Sequence, residues 1–250
     1  MSIEMEGVCK AFGDNVVLDG VSLNVEDGET LAVIGASGSG KSVLLKTIVG
    51  LLEPDDGRVV VDGEVVNELS KEKLYALRRR VGYVFQFAAL FDSMTVEENL
   101  TMGLRRMKEV SREEMAERVA EALRLVELEG FEGYLPAELS GGQRKRVGFA
   151  RAIVTHPKYL LYDEPTTGLD PVTTAVIDRL MLRLDEELGV TAVMVTHDMT
   201  SAYRVSDRIG MLHDGVIRFV GTPEEIQETN DPVVKGFVEG RPELTEEAAT

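Results

Sequence analysis

Apolar and polar positions alternate along the chain in three regimes. In the first third the period is that of strands: Val21-Ser22-Leu23-Asn24-Val25 places every second side chain on one face. Asp27-Gly28 marks a turn, and Thr30 to Ile34 is a short apolar run that stops at Gly35. The spacing of Val43, Leu44, Thr47, Ile48 and Leu51 predicts a helix, Pro54-Asp55-Asp56-Gly57 a turn, and Arg58 to Val61 a strand. Lys71–Arg80 reads as a surface helix and Val81–Phe85 as a further strand.

From about Phe87 to Thr155 the period is mostly helical. Thr95 with Glu98, ahead of Leu100, marks one helix start. Ser111 with Glu114 predicts a capping box before Met115, Val119, Ala122, Leu123 and Val126. The last third alternates again. Tyr159–Tyr162 is an apolar strand. Asp170-Pro171 opens a helix through Val176, Ile177, Leu180, Met181 and Leu184 that Gly189 ends. Thr191–Val195 is a strand, Asp214-Gly215 joins a hairpin of Arg208–Leu212 and Val216–Val220, and Thr222-Pro223-Glu224-Glu225 starts a short helix. Strands alternating with helices predict an α/β fold with a largely parallel sheet.

Composition narrows the function classes. The 250 residues carry 27 Lys and Arg against 44 Asp and Glu, a net charge of −17, which argues against a general nucleic-acid binder. The single cysteine, Cys9, fits a reducing compartment. No stretch approaches the roughly 18 apolar residues of a spanning helix, and the first residues lack a secretory pattern. The expected location is the cytoplasm.

Gly35-Ala36-Ser37-Gly38-Ser39-Gly40-Lys41-Ser42 satisfies G-x-x-x-x-G-K-[ST] and lies between a predicted strand and a predicted helix. Glycines let the backbone wrap so that amides point at phosphate oxygens, and the helix dipole adds positive potential. Lys41 is the expected partner of the β- and γ-phosphates and the Ser42 hydroxyl a Mg²⁺ ligand. Asp163, ending the Tyr159 strand, is placed to hold Mg²⁺, and Glu164 beside it to polarise an attacking water.

Leu139-Ser140-Gly141-Gly142-Gln143 resembles the signature motif of ATP-binding cassette (ABC) ATPases, and it stands before Asp163 in the family's order. The helix start at Ser140 with its glycine pair reads as a second anion site. The resemblance runs from about Ile3 to Gly240 and implies a P-loop NTPase fold, the ABC nucleotide-binding domain. Such a domain has a mostly parallel core sheet, an antiparallel β lobe and an inserted helical lobe. It would cover 1–240, with the core over 1–86 and 157–222, the helical lobe over about 87–156, and C-terminal helices with an acidic tail over 223–250.

The family pattern assigns further roles. It puts Phe12 on adenine, Val43 beside the phosphate loop, Gln86 on Mg²⁺ and Asp170 in the loop that touches the partner subunit. It makes His197 the switch residue at the γ-phosphate; His156, at a helix end, and His213, at a turn, read as structural. Catalysis would rest on Glu164, His197 and Lys41, with ATP and Mg²⁺ as cofactors. Two copies would form a homodimer in which Ser140, Gly141, Gly142 and Gln143 of each close on the other's ATP. Strand packing remains an alternative for Phe12.

Gly40–Lys46 with Val43, the segments Phe85–Ser93 and Leu161–Pro171 and the phrase Phe237–Pro242 are similar to ATPases of MCE (mammalian cell entry) and Mla (maintenance of lipid asymmetry) systems, which move phospholipids or other hydrophobic molecules between bacterial membranes. That likeness implies integral-membrane permease subunits, an MCE-type lipid-binding protein and a peripheral place on the cytoplasmic face of the inner membrane. An ATPase for a small polar solute, or one of the cell-division type, is the alternative. Phe87, Leu90 and Phe91 read either as a permease-docking patch or as lobe core. Arg78–Arg80 and Arg144–Arg146 read as solvated helix faces.

Overall fold

The computed structural model describes residues 2–105, 107 and 110–241. Pro242, Glu243, Glu246 and Glu247, part of the expected acidic tail and its closing phrase, lie outside them. The chain forms two compact units, one of Met1–Tyr75 with Thr191–Thr250 and one of Ala76–Val190.

The first unit begins with β1 (Ile3–Phe12), β2 (Asn15–Val25), β3 (Thr30–Ile34), α1 (Lys41–Ile48), β4 (Asp56–Val61) and β5 (Glu64–Val65). Helix α2 (Lys71–Arg79) crosses the boundary. The second unit holds β6 (Val81–Val84), α3 (Val96–Leu104), α4 (Arg112–Leu125), α5 (Gly141–Ile153), β7 (Tyr159–Asp163) and α6 (Pro171–Leu188). The chain then returns to the first unit with β8 (Thr191–Thr196), α7 (Met199–Val205), β9 (Arg208–His213), β10 (Val216–Gly221), α8 (Pro223–Gln227) and α9 (Pro232–Glu239).

In the first unit β1 pairs antiparallel with both β2 and β4, and β4 with β5. Beside this antiparallel sheet, β3 lies parallel to β8 and to β9, and β10 closes antiparallel on β9. All residues of β3 and β8 are buried, which is why both read as unbroken apolar runs rather than alternating ones. In the second unit β6 and β7 pair parallel, and β7 is buried throughout.

Strand β1 is absent from the apolar pattern for a structural reason. Its pairing with β2 shifts register between Met5 and Val8, between Val8 and Lys10, and again between Lys10 and Ala11. Each shift breaks the period of two that would announce a strand.

A charged pin fixes one end of the parallel strands. Glu29, nearly buried, accepts from Arg208 Nη1 at 2.9 Å and from the Glu26 N–H at 2.6 Å, while Asp207 accepts from the Thr30 N–H at 2.8 Å. Buried charges of this kind persist only when paired and hydrogen-bonded.

Two features depart from the sequence reading. Only half of the box at Ser111 forms: its Oγ accepts from the Glu114 N–H, but the Glu114 carboxylate grips Arg118 at 2.7 Å. Arg144–Arg146 is only in part a solvated face: Arg144 is exposed, but all three side chains are engaged. Arg144 Nη1 donates to the Leu139 carbonyl at 2.6 Å, Arg146 Nη1 to the Val126 and Glu127 carbonyls at 3.0 Å, and Lys145 is buried. The two arginines satisfy carbonyls left open where helix α4 and the Pro136–Leu139 turn end.

Candidate nucleotide site

In the first unit the loop from Gly35 to Ser42 joins β3 to α1. Leu44, Leu45 and Ile48 of α1 are buried and hold the helix on β8, each contributing about 1.5–3 kcal/mol through apolar burial. The helix begins at Gly40 with φ 102°, and no side chain caps it. A Cβ at Gly40 would stand 2.8 Å from Val17 Cγ1, and one at Gly35 2.4 Å from the Leu212 carbonyl oxygen. Glycine is therefore required both for the left-handed turn and for the close approach of two backbones.

Lys41 is buried, and its ammonium folds under the loop, donating to the Gly35 carbonyl at 2.8 Å and to the Ala36 carbonyl at 3.0 Å. Ser42 and Val43 follow half-buried. The Ser39 Oγ is buried without a hydrogen-bond partner. Such an orphan is uncommon in a folded chain. A cavity of about 470 Å³ opens beside the loop, walled by Val16, Val17, Ala36–Ser39, His213 and Asp214. His213, read from sequence as a turn residue of no consequence to the site, is part of that wall. Its signal is tertiary, since β9 meets the loop only through the sheet.

Phe12 is 48% exposed at the end of β1, with the Lys10 ammonium 5.7 Å from its ring centroid. Strand packing does not account for it. His197 is exposed and follows β8 directly.

In the second unit Asp163 closes β7 and is nearly buried, as is Glu164. Glu164 has φ 50°, a left-handed backbone held by a non-glycine residue. Such strain persists only where the surroundings enforce it, and it clusters at functional sites. Thr167 Oγ1 donates to Glu164 Oε2 at 3.0 Å. Tyr83 OH donates to Asp163 Oδ2 at 3.0 Å, and burial followed by the Asp163 charge pushes the phenol well above its ordinary pKa. Tyr83 thus stays a donor and fixes the carboxylate. Sequence reading missed Tyr83, although its place on β6, two residues before Phe85, was visible.

Gln86 follows β6, and its carbonyl accepts from Lys145 Nζ. Burial lowers the Lys145 pKa, and the charge of Glu164 opposes that shift. Ser140 caps α5 with a complete box: its Oγ accepts from the Gln143 N–H at 3.2 Å, and Gln143 Oε1 accepts from the Ser140 N–H at 2.8 Å. Gly141 is exposed and Gly142 half-buried at the helix opening. Asp170 caps α6, accepting from the Val172 and Thr173 amides and the Thr173 hydroxyl, whose hydrogen bond holds its carboxyl below the ordinary range. The loop with Phe12 and His197 therefore belongs to the first unit, and Gln86, Ser140–Gln143, Asp163, Glu164 and Asp170 to the second.

The profile described as "ABC transporter" matches residues 18–167, which takes in the phosphate loop, the signature and both carboxylates. The chain belongs to the ABC transporter family. It is an ATP-binding, ATP-hydrolysing cassette of that family, the ATP-binding subunit type of its transporters.

Among curated relatives, the probable ribonucleotide transport ATP-binding protein mkl of Mycobacterium bovis is 40% identical over 241 residues, 96% of this chain and 67% of that one. The sulfate/thiosulfate import ATP-binding protein CysA of Caulobacter vibrioides is 45% identical over 242 residues, 95% of this chain and 70% of that one. Among solved structures, the ATP-binding cassette MJ0796, dimeric in a post-hydrolysis state with ADP and Pi, has a TM-score of 0.80 at 37% identity, covering 88% of this chain and 98% of that one. CbiO1 of Clostridium perfringens has a TM-score of 0.83 at 30% identity, covering 99% and 98%. The ABC cassette fold expected from the motifs is thus the fold observed. Among the described residues no helix is long and apolar enough to cross a membrane.

Proposed function

We propose that this cassette powers a transporter of phospholipid or another hydrophobic molecule between bacterial membranes, working as a homodimer on integral-membrane permease subunits at the cytoplasmic face of the inner membrane. The observation that carries the motor part is the uncapped α1 start with the orphaned Ser39 Oγ and the buried Lys41, a site built for phosphate oxygens. Lys41 would exchange its carbonyl partners for the β- and γ-phosphates. Phe12 would stack on adenine. Glu164 would orient the attacking water, with His197 at the γ-phosphate and Asp170 at the loop facing the other subunit.

The donor chemistry suits Mg²⁺. Ser42, Gln86 and Asp163 offer hydroxyl, amide and carboxylate oxygens, the hard ligands this cation takes. When bound, Mg²⁺ supplies charge neutralisation on the phosphate oxygens. Catalysis by the chain itself is then positioning and electrostatic stabilisation. Ser140, Gly141, Gly142 and Gln143 would close on the ATP of the second copy.

The permease part rests on Phe87 and Phe91. They are 82% and 50% exposed beside Gln86, and Leu90 is half-buried, so the lobe core does not absorb the two rings. Apolar surface of this kind suits a docked partner. The lipid part rests on Val43 and the segment Phe85–Ser93, and an MCE-type lipid-binding protein is its expected accessory. The relative named for sulfate/thiosulfate import, at 45% identity, favours a second reading, a small polar solute. Purification of the tagged chain from its native membrane decides between them. Recovery with a multispanning permease and co-purifying phospholipid supports the lipid reading. Recovery with a permease and a soluble solute-binding protein supports the second, and recovery with division proteins overturns both.

A further inference from the structure

The segment after Gln86 carries strain that nothing within it explains. Ala88 and Ala89 are consecutive non-glycine residues with φ 58° and 48°, a left-handed bend that side chains disfavour. Their amides turn inward, to the Phe85 carbonyl at 3.0 Å and the Phe87 carbonyl at 2.6 Å. The restraint comes from α5. Lys145 Nζ donates to the Gln86 carbonyl, Arg151 Nη2 to the Ala88 carbonyl at 2.6 Å, and Arg151 Nη1 to the Ala89 carbonyl. Two cations on one helix thus hold three carbonyls of one short bend.

The surrounding contacts extend this hold. Ala88 is buried against Gly148 of α5, where a Cβ would stand 3.3 Å from the Ala88 Cα. The Arg151 guanidinium lies 5.8 Å from the Phe85 ring centroid, and Phe85 packs on Tyr83, which donates to Asp163. At the far end Asn99 of α3 clasps Phe91, accepting from its N–H at 2.8 Å and donating to its carbonyl at 3.2 Å. Between the two anchors Phe87 stands almost fully in solvent.

We infer that Lys145 and Arg151 are positioning residues that latch the segment from Gln86 to Ala89 to the signature helix. The latch makes the bend and α5 one body, so that Gln86 and Phe87 take their place from α5 rather than from their own backbone preference. Its consequence for turnover rests on the ATPase reading above. The latch itself does not.

Amide hydrogen exchange of the full chain without nucleotide tests it. In Lys145→Met the Ala88 and Ala89 amides are expected to exchange about tenfold faster, the effect of one lost charge-assisted hydrogen bond, and in Arg151→Gln, which loses two, at least as much faster, while β7 amides keep their protection. Lys145→Arg and Arg151→Lys, which keep a donor, should restore most of the protection. In ATPase assays kcat should fall several-fold with the KM for ATP unchanged. Unchanged Ala88 and Ala89 exchange overturns the latch. So does acceleration spread evenly over β7, or failure of both conservative variants to rescue. Absence of ATPase activity in the unsubstituted chain would overturn the proposed function instead, and the exchange arm, which needs no nucleotide, would still decide the latch.

Discussion

Helices α1 and α5 both begin at glycine-rich motifs, yet their first turns are finished differently. At α1 the cap is Gly40, which brings no side chain, and the nearby Ser39 hydroxyl is buried without a partner. At α5 the cap is Ser140, and the reciprocal bonds with Gln143 complete it within the chain. A helix start leaves four amides open, and something must answer them. At α1 no side chain does so. The α5 start is already half answered, so it can persist as a stable element of the second unit and present Gly141 and Gly142 to whatever approaches. Two helix starts with the same dipole logic are therefore proposed for different roles, one binding and one confirming.

Substitutions can break or sharpen this contrast. The largest effect is expected at Glu164→Gln, which should lower kcat by about 10²–10⁴-fold, the range for loss of a general base, while ATP titration shows near-unchanged affinity. Next, Lys41→Met should weaken ATP binding at the open start by about 2–5 kcal/mol, measured calorimetrically, because a buried charge partner of the phosphates is lost. Asn99→Ala should lower stability in a denaturant melt by about 1–3 kcal/mol, since removing the amide that holds Phe91, Met94 and Thr95 leaves part-buried backbone groups unanswered. The smallest effect belongs to the capped start. Ser140→Ala should cost about 1 kcal/mol of stability, the worth of an N-cap, whereas α1 has no side-chain cap to remove.

Much of this was legible in the residues because it is local. The phosphate loop, the Thr95 box and the helix starts at Ser140, Thr222 and Asp170-Pro171 depend on neighbours three or four positions away, and all formed as read. What escaped was set by distant partners. The bulges of β1 arise from its pairing with β2. Tyr83 acquires its role from Asp163, 80 positions on, and Lys145 from the Gln86 carbonyl, 59 positions back. The Arg144–Arg146 triplet shows the same limit: charge along a helix suggested solvent, but open carbonyls elsewhere in the second unit claimed the side chains.

The α1 start is proposed to bind ATP in a single chain, and the α5 start to meet that ATP only when two chains close. Hydrogen exchange of the Glu164→Gln protein, with and without ATP and Mg²⁺ and over a range of protein concentrations, tests this most directly. ATP should protect the Lys41–Leu44 amides at every concentration and the Gly141–Arg144 amides only where sedimentation shows a dimer. Protection of Gly141–Arg144 in dilute monomer, or none at Lys41–Leu44, would contradict it.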